Sequence, residues 1–200
     1  MLYSNYKTAR DKAWQILIDC KVDKLPVSTA ALCEHYGWVL ADYQEGKTAI
    51  DLLGLSSLTE RTDGFCAVTD HFTYIFYNSG LPVGRQRFTV AHEIGHLALG
   101  HVGRGRVTTI NREPSPQDSQ EETQANQFAA RLLAPACVLH ELGATTPEAI
   151  QQVCGLSHQA AEFRAARMQE LEKRNRYYTS PLERQVVEQF RSYVSLALRR

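Results

Sequence analysis

Residues 85–100 read RQRFTVAHEIGHLALG, and this stretch decides the fold. A turn cluster, Asn78-Ser79-Gly80-Leu81-Pro82, precedes it and Gly100 ends it, so the spacing predicts one helix over 85–99. Within that helix His92 and His96 stand four residues apart, about 40° around the axis and about 6 Å along it. Ala91, Ile94, Leu97 and Ala98 cluster on one side of the wheel and the two histidines lie nearly opposite. The helix can therefore dock through its apolar face while both imidazoles converge on one ion.

A zinc ion takes tetrahedral nitrogen and oxygen donors at about 2 Å, and a catalytic site leaves one position for water. Glu93 adjoins the histidine face and is placed to accept a proton from that water as a general base. Two histidines on a polar helix face are ordinarily surface residues. The glutamate between them and the adjoining Gly95 set this pair apart and make His92 and His96 candidate Zn2+ ligands.

Geometry says less about a third ligand. His101 lies about 180° around the helix from His92 and follows Gly100. The longer HExxHxxGxxH pattern also fails, at Leu99 and Val102, so His101 is assigned to a loop or to packing. A second helix over 120–133, closed by Pro135, carries an apolar stripe of Ala125, Phe128, Ala129, Leu132 and Leu133. Glu121 and Glu122 sit at similar angles from that stripe, so periodicity does not choose between them; both also suit a first helical turn.

Further out, residues 8–18 place Ala9, Ala13, Ile16 and Leu17 at helical spacing, and 28–36 reads as a short helix ending at Gly37. Strands are predicted at 38–43, 65–69 and 72–77, the last two joined by a hairpin at Asp70-His71. The stretch 44–63 is ambiguous. Residues 103–119 read as an exposed polar loop between the two ligand helices, a candidate gate. Helices are predicted from Pro147, over 157–174 and over 181–198. Helices, a small sheet, then helices make the fold class α+β. The expected division is a domain over 1–140 and a helical extension over 141–200.

The 200 residues carry 22 Lys plus Arg and 22 Asp plus Glu, a balance that argues against tight general binding to nucleic acid. No apolar run is long enough to span a membrane, and the first 20 residues do not read as a signal peptide, so a cytoplasmic protein is expected. Five cysteines with no CxxC pair are read as reduced thiols.

Two stretches together, RQRFTVAHEIGH over 85–96 and ETQANQFAARLLAP over 122–135, with YIFYN over 74–78, resemble the ImmA/IrrE family of minimal gluzincin-type metallopeptidases. The resemblance implies that Glu122 is the third zinc ligand and that Asn126 orients a ligating histidine. It implies a small three-stranded sheet packed on the two ligand helices, with the strand around 73–77 offering its edge to an extended peptide. It also implies a regulatory endopeptidase that cleaves an intracellular protein such as a helix-turn-helix repressor, in phage or mobile-element control or stress response. Relatives often carry Met where this chain has Ala134. Tyr74, Tyr77, His71 and Arg131 are candidates for an oxyanion-stabilising or substrate-binding role.

Two other readings compete. Residues 146–176 resemble two helices around a Gly155-Leu156-Ser157 turn with Arg164, Arg167, Arg174 and Arg176, which suits a DNA-binding or adaptor protein with a vestigial metal site. The other is a partner-held toxin or antitoxin component whose metal serves stability.

Overall fold

A computed structural model describes residues 2–103, 105–107 and 116–199. Most of the loop expected over 103–119, and the gate with it, lies outside the described residues. The elements in chain order are α1 (Leu2–Asp19), α2 (Thr29–His35), β1 (Val39–Asp42), α3 (Lys47–Leu52), a 3-10 turn (Ser56–Leu58), β2 (Gly64–Val68), β3 (Thr73–Tyr77), α4 (Val83–Leu99) and β4 (Arg106–Val107). Then come α5 (Pro116–Leu133), α6 (Ala136–Glu141), α7 (Pro147–Cys154), α8 (His158–Lys173) and α9 (Pro181–Ala197). The class is α+β. Among the described residues no helix is long and apolar enough to cross a membrane.

The chain forms two compact units, 29–129 and 1–28 with 130–200. This differs from a division at residue 140, because α1 packs on α9 and so belongs with the C-terminal helices.

In the unit 29–129 the sheet order is β1-β3-β2-β4. β1 runs parallel to β3, and β2 runs antiparallel to both β3 and β4. The three expected strands are present, and the two-residue β4 extends them at one edge. The expected exposed edge at 73–77 is corrected: β3 is interior, with β1 from Val39↔Tyr74 to Asp42↔Tyr77 on one side and β2 on the other. Its backbone groups are committed to the ladder and have no edge to offer a peptide.

Period-2 alternation sorts the side chains. Phe65 and Phe76 pair across the strands with ring centroids 5.3 Å apart, and both bury against Ile50 of α3. Cys66 and Ile75 pair on the opposite face. Gly64, on that same face, brings β2 against α4: a Cβ there would lie 2.5 Å from Thr89 Cγ2 and 2.8 Å from the Phe76 carbonyl oxygen. The sheet thus supplies a floor for α4.

The second close approach is between α4 and α5. A Cβ on Gly95 would meet Phe128 Cδ1 at 2.9 Å and the Ala125 Cα and carbonyl oxygen at 3.3 Å. All five residues of the predicted stripe, Ala125 through Leu133, are fully buried. α5 begins at Pro116, a turn earlier than expected.

In the other unit α9 buries Val186, Phe190 and Val194, four residues apart, and packs on α1 and α6. Gln189 Nε2 donates to the carbonyl oxygens of Leu17 at 2.8 Å and Val22 at 2.5 Å. Ala9, Ala13, Ile16 and Leu17 are buried, as their spacing predicts. Thr146, Ser157 and Ser180 cap α7, α8 and α9 by accepting from the backbone N–H three residues on. Arg164 on α8 is only 7% exposed, which removes it from the outward face that a DNA-reading helix requires. Among the described residues the cysteines are free thiols, and burial pushes Cys33 and Cys137 up to about 12.

The helix crossing yields a prediction. Gly95→Val should destabilise the protein by about 1–3 kcal/mol in urea unfolding, through overpacking against Phe128 and Ala125. It should also lower bound metal per chain. Gly100→Ala meets nothing within 4 Å; its positive φ of 76° should cost about 1 kcal/mol, with metal content unchanged.

Candidate metal centre

α4 ends in a left-handed Gly100, and α5 crosses it at Gly95. That crossing sets Glu122, one turn before Ala125, beside the histidines of α4. His96 Nε2 lies 3.0 Å from His92 Nε2 and 3.1 Å from Glu122 Oε1, and His92 Nε2 lies 3.2 Å from Glu122 Oε2. Among the described residues these three side chains form a group able to hold a metal ion.

The spacing itself tests the fit. Donors about 2 Å from one tetrahedral ion stand about 3.3 Å from one another. The two Nε2 atoms stand 3.0 Å apart, and each has a different Glu122 oxygen at 3.1 or 3.2 Å, separations close to that edge. Two imidazole nitrogens and a carboxylate beside a cavity are compatible with the donor set of a zinc ion. Glu122, not Glu121, supplies the carboxylate, a choice that helical angle alone left open.

Each imidazole is held from behind. Asn126, one turn beyond Glu122, places Oδ1 3.0 Å from His92 Nδ1. His92 Nδ1–H donates to it, leaving the Nε2 lone pair facing inward. His96 has a support that sequence reasoning missed. His101 Nδ1 lies 3.2 Å from His96 Nδ1, and His101 Nε2 lies 2.9 Å from Gln124 Oε1. With Gln124 Oε1 accepting from His101 Nε2–H, His101 Nδ1 accepts from His96 Nδ1–H, and the His96 Nε2 lone pair also faces inward. His101 therefore stands outside the three-residue group and orients one of its imidazoles. Its signal was present in the sequence as a histidine just beyond the helix end, where the chain curls back after the left-handed Gly100.

Electrostatics favour a cation. Whenever their Nε2 atoms carry protons, His92 and His96 donate to Glu122 and hold its carboxyl far below the usual carboxylate range, against partial burial. Burial disfavours a charged His92, but Glu122, Glu93 and Asn126 outweigh it and raise its pKa above 6.5. Burial, with His96 nearby, pushes His101 below its usual value.

Glu93 is 5% exposed and His96 is 4% exposed, so the polar face of α4 is covered rather than solvated. What remains open is a cavity of about 360 Å³, lined by His92, Glu93 and Glu122 with Phe88, Thr89 and Arg85 of α4 and residues 61–64 leading into β2. Tyr74, Tyr77, His71 and Arg131 do not line it. Tyr74 stacks on Phe76 within the sheet, Tyr77 ends β3, His71 sits in the exposed β2–β3 turn, and Arg131 belongs to the other unit. The basic side chains that do line it are Arg61 and Arg85, the latter paired with Asp63 at 2.5 Å.

The peptidase family described as IrrE N-terminal-like domain matches residues 46–185. The chain belongs to this family. No curated protein matches the sequence. The IrrE N-terminal-like match covers β2, β3 and β4 but not β1, takes in α4 and α5 and runs on through α8, so both His92-Glu93-Ile94-Gly95-His96 and Glu122 fall inside it. A metallopeptidase-type function is thus common to the IrrE-like family assignment and to the donor group.

Two measurements probe the supports. His101→Ala and Asn126→Ala should each weaken zinc affinity by about 10- to 100-fold in competition titrations with a chelator. Metal binding must also displace the His92 proton. Since that pKa is raised, the protonated fraction at a given pH is larger than for a free imidazole, so affinity should begin to fall at a pH above 6.5 and keep falling as pH drops.

Proposed function

We propose that this protein is a zinc-dependent endopeptidase in which His92, His96 and Glu122 hold the ion and Glu93 is the general base. The observation that carries the reading is the convergence of two Nε2 atoms 3.0 Å apart with the two oxygens of one carboxylate, at 3.1 and 3.2 Å, beside an open cavity. When bound, a zinc ion supplies Lewis acidity, activating a water and polarising a scissile carbonyl.

The chain's own residues do the remaining work. Asn126 and His101 keep the imidazole protons on Nδ1, so both Nε2 lone pairs point into the site. Glu93 takes the proton of the attacking water and passes it to the departing amide nitrogen; its near-complete burial keeps competing solvent away from that carboxylate. The cavity beside it has Phe88 for apolar side chains and Arg61 and Arg85 for acidic ones or for a carbonyl oxygen. An extended segment of a protein chain suits such a cleft better than a compact small molecule, and narrow specificity suits a regulatory enzyme. On this reading the substrate is a specific protein, such as a helix-turn-helix repressor.

Glu93→Gln should keep one zinc per chain and lose peptide-bond hydrolysis by a factor of about 10² or more, measured on a casein-type or peptide-library substrate beside elemental analysis. Glu122→Ala should lose both. A Glu93→Gln protein that hydrolyses as fast as the parent removes Glu93 from the role of base.

A further inference from the structure

The unit formed by 1–28 and 130–200 has a cavity of its own, about 210 Å³, lined by Arg10, Arg131, Arg164, Arg167, Arg174 and Arg176. Six arginines around one cavity, in a chain whose acidic and basic residues balance overall, is a strong local concentration of charge. We infer that this cavity is a binding site for a small polyanion carrying two or more phosphate groups.

The lining itself is unbalanced, with six arginines against one carboxylate. Glu183 is the one acidic residue of the wall, and its carboxylate accepts from the Thr179 backbone N–H at 2.7 Å. Asp11 holds Arg10 at 2.7 Å and Glu170 holds Arg174 at 3.3 Å. Such pairs leave guanidinium N–H donors over, since each fork carries five.

A second observation is independent of charge. Trp14, 4% exposed, is also part of the wall, and among the described residues its buried Nε1–H has no hydrogen-bond partner. A buried indole N–H without an acceptor is costly, and an anionic oxygen in the cavity would supply one. Arg10 sits over the Trp14 ring at 4.8 Å, so the indole is fixed within the cationic wall.

The ligand class follows from valence and access. Planar guanidinium forks bind phosphate oxygens in pairs, and several forks suit several oxygens. A single carboxylate would satisfy few of them. Arg131 and Arg164 are 8% and 7% exposed, so a rigid duplex backbone does not reach them, whereas a small anion entering the cavity does. The proposal is independent of the metal centre and of any hydrolytic role.

The chain has two tryptophans, so in a Trp38→Phe background Trp14 fluorescence reports on this cavity alone. Titration with inorganic pyrophosphate should give a saturable fluorescence change and a rise in melting temperature, with citrate at equal ionic strength giving neither. Arg174→Gln combined with Arg176→Gln, both exposed, should weaken pyrophosphate binding more than about tenfold while the ligand-free melting temperature holds. A response to citrate equal to that of pyrophosphate, no saturable change at millimolar pyrophosphate, or undiminished binding in a folded double variant would each overturn the site. If the double variant fails to fold, the pyrophosphate and citrate arms on the parent protein still decide.

Discussion

Two helix backbones come within van der Waals reach where Gly95 meets Ala125 and Phe128, and the site depends on that contact. Two histidines at i and i+4 present a pair of nitrogens on any helix. They become part of a metal-binding group only when a carboxylate from a different helix arrives at about 3 Å. With a side chain at position 95 the axes would stand further apart, and Glu122 would reach short. The glycine weakens the helix by about 1 kcal/mol relative to alanine, and the fully buried stripe of α5 offsets this.

The donors are also constrained from outside. Asn126 behind His92, and His101 with Gln124 behind His96, determine which ring nitrogen carries the proton. A neutral imidazole presents one lone pair, so a wrong tautomer would aim N–H at the ion. Glu122, Asn126 and Gln124 all come from α5, while His101 comes from the residue after the α4 cap. The helix crossing therefore sets the candidate metal group and its supports at once.

Much of this was legible from residue spacing. The helices at 85–99 and 120–133, the hairpin strands and the apolar stripe of α5 follow from periods of 3.6 and 2, which report which face is buried. Tertiary placement was not legible in the same way. The choice between Glu121 and Glu122 needed the family resemblance or the fold, since adjacent helical positions flank the stripe alike. The interior position of β3 depends on β1 returning parallel beside it, a long-range pairing with no local signature. α1 joins the C-terminal helices through contacts about 170 residues apart in sequence, as in the Gln189 bond to Leu17. The arginine cavity was equally hidden: Arg10, Arg131 and Arg164 are far apart along the chain and meet only in the folded unit.

The central claim is that two imidazoles and one carboxylate share an ion with a position left for solvent. X-ray absorption at the zinc edge of the purified, zinc-loaded protein tests it most directly. Four light scatterers at about 2.0–2.1 Å, with the outer-shell pattern of two imidazole rings, are expected. Sulfur scattering at about 2.3 Å, or a shell with no imidazole signature, would contradict it.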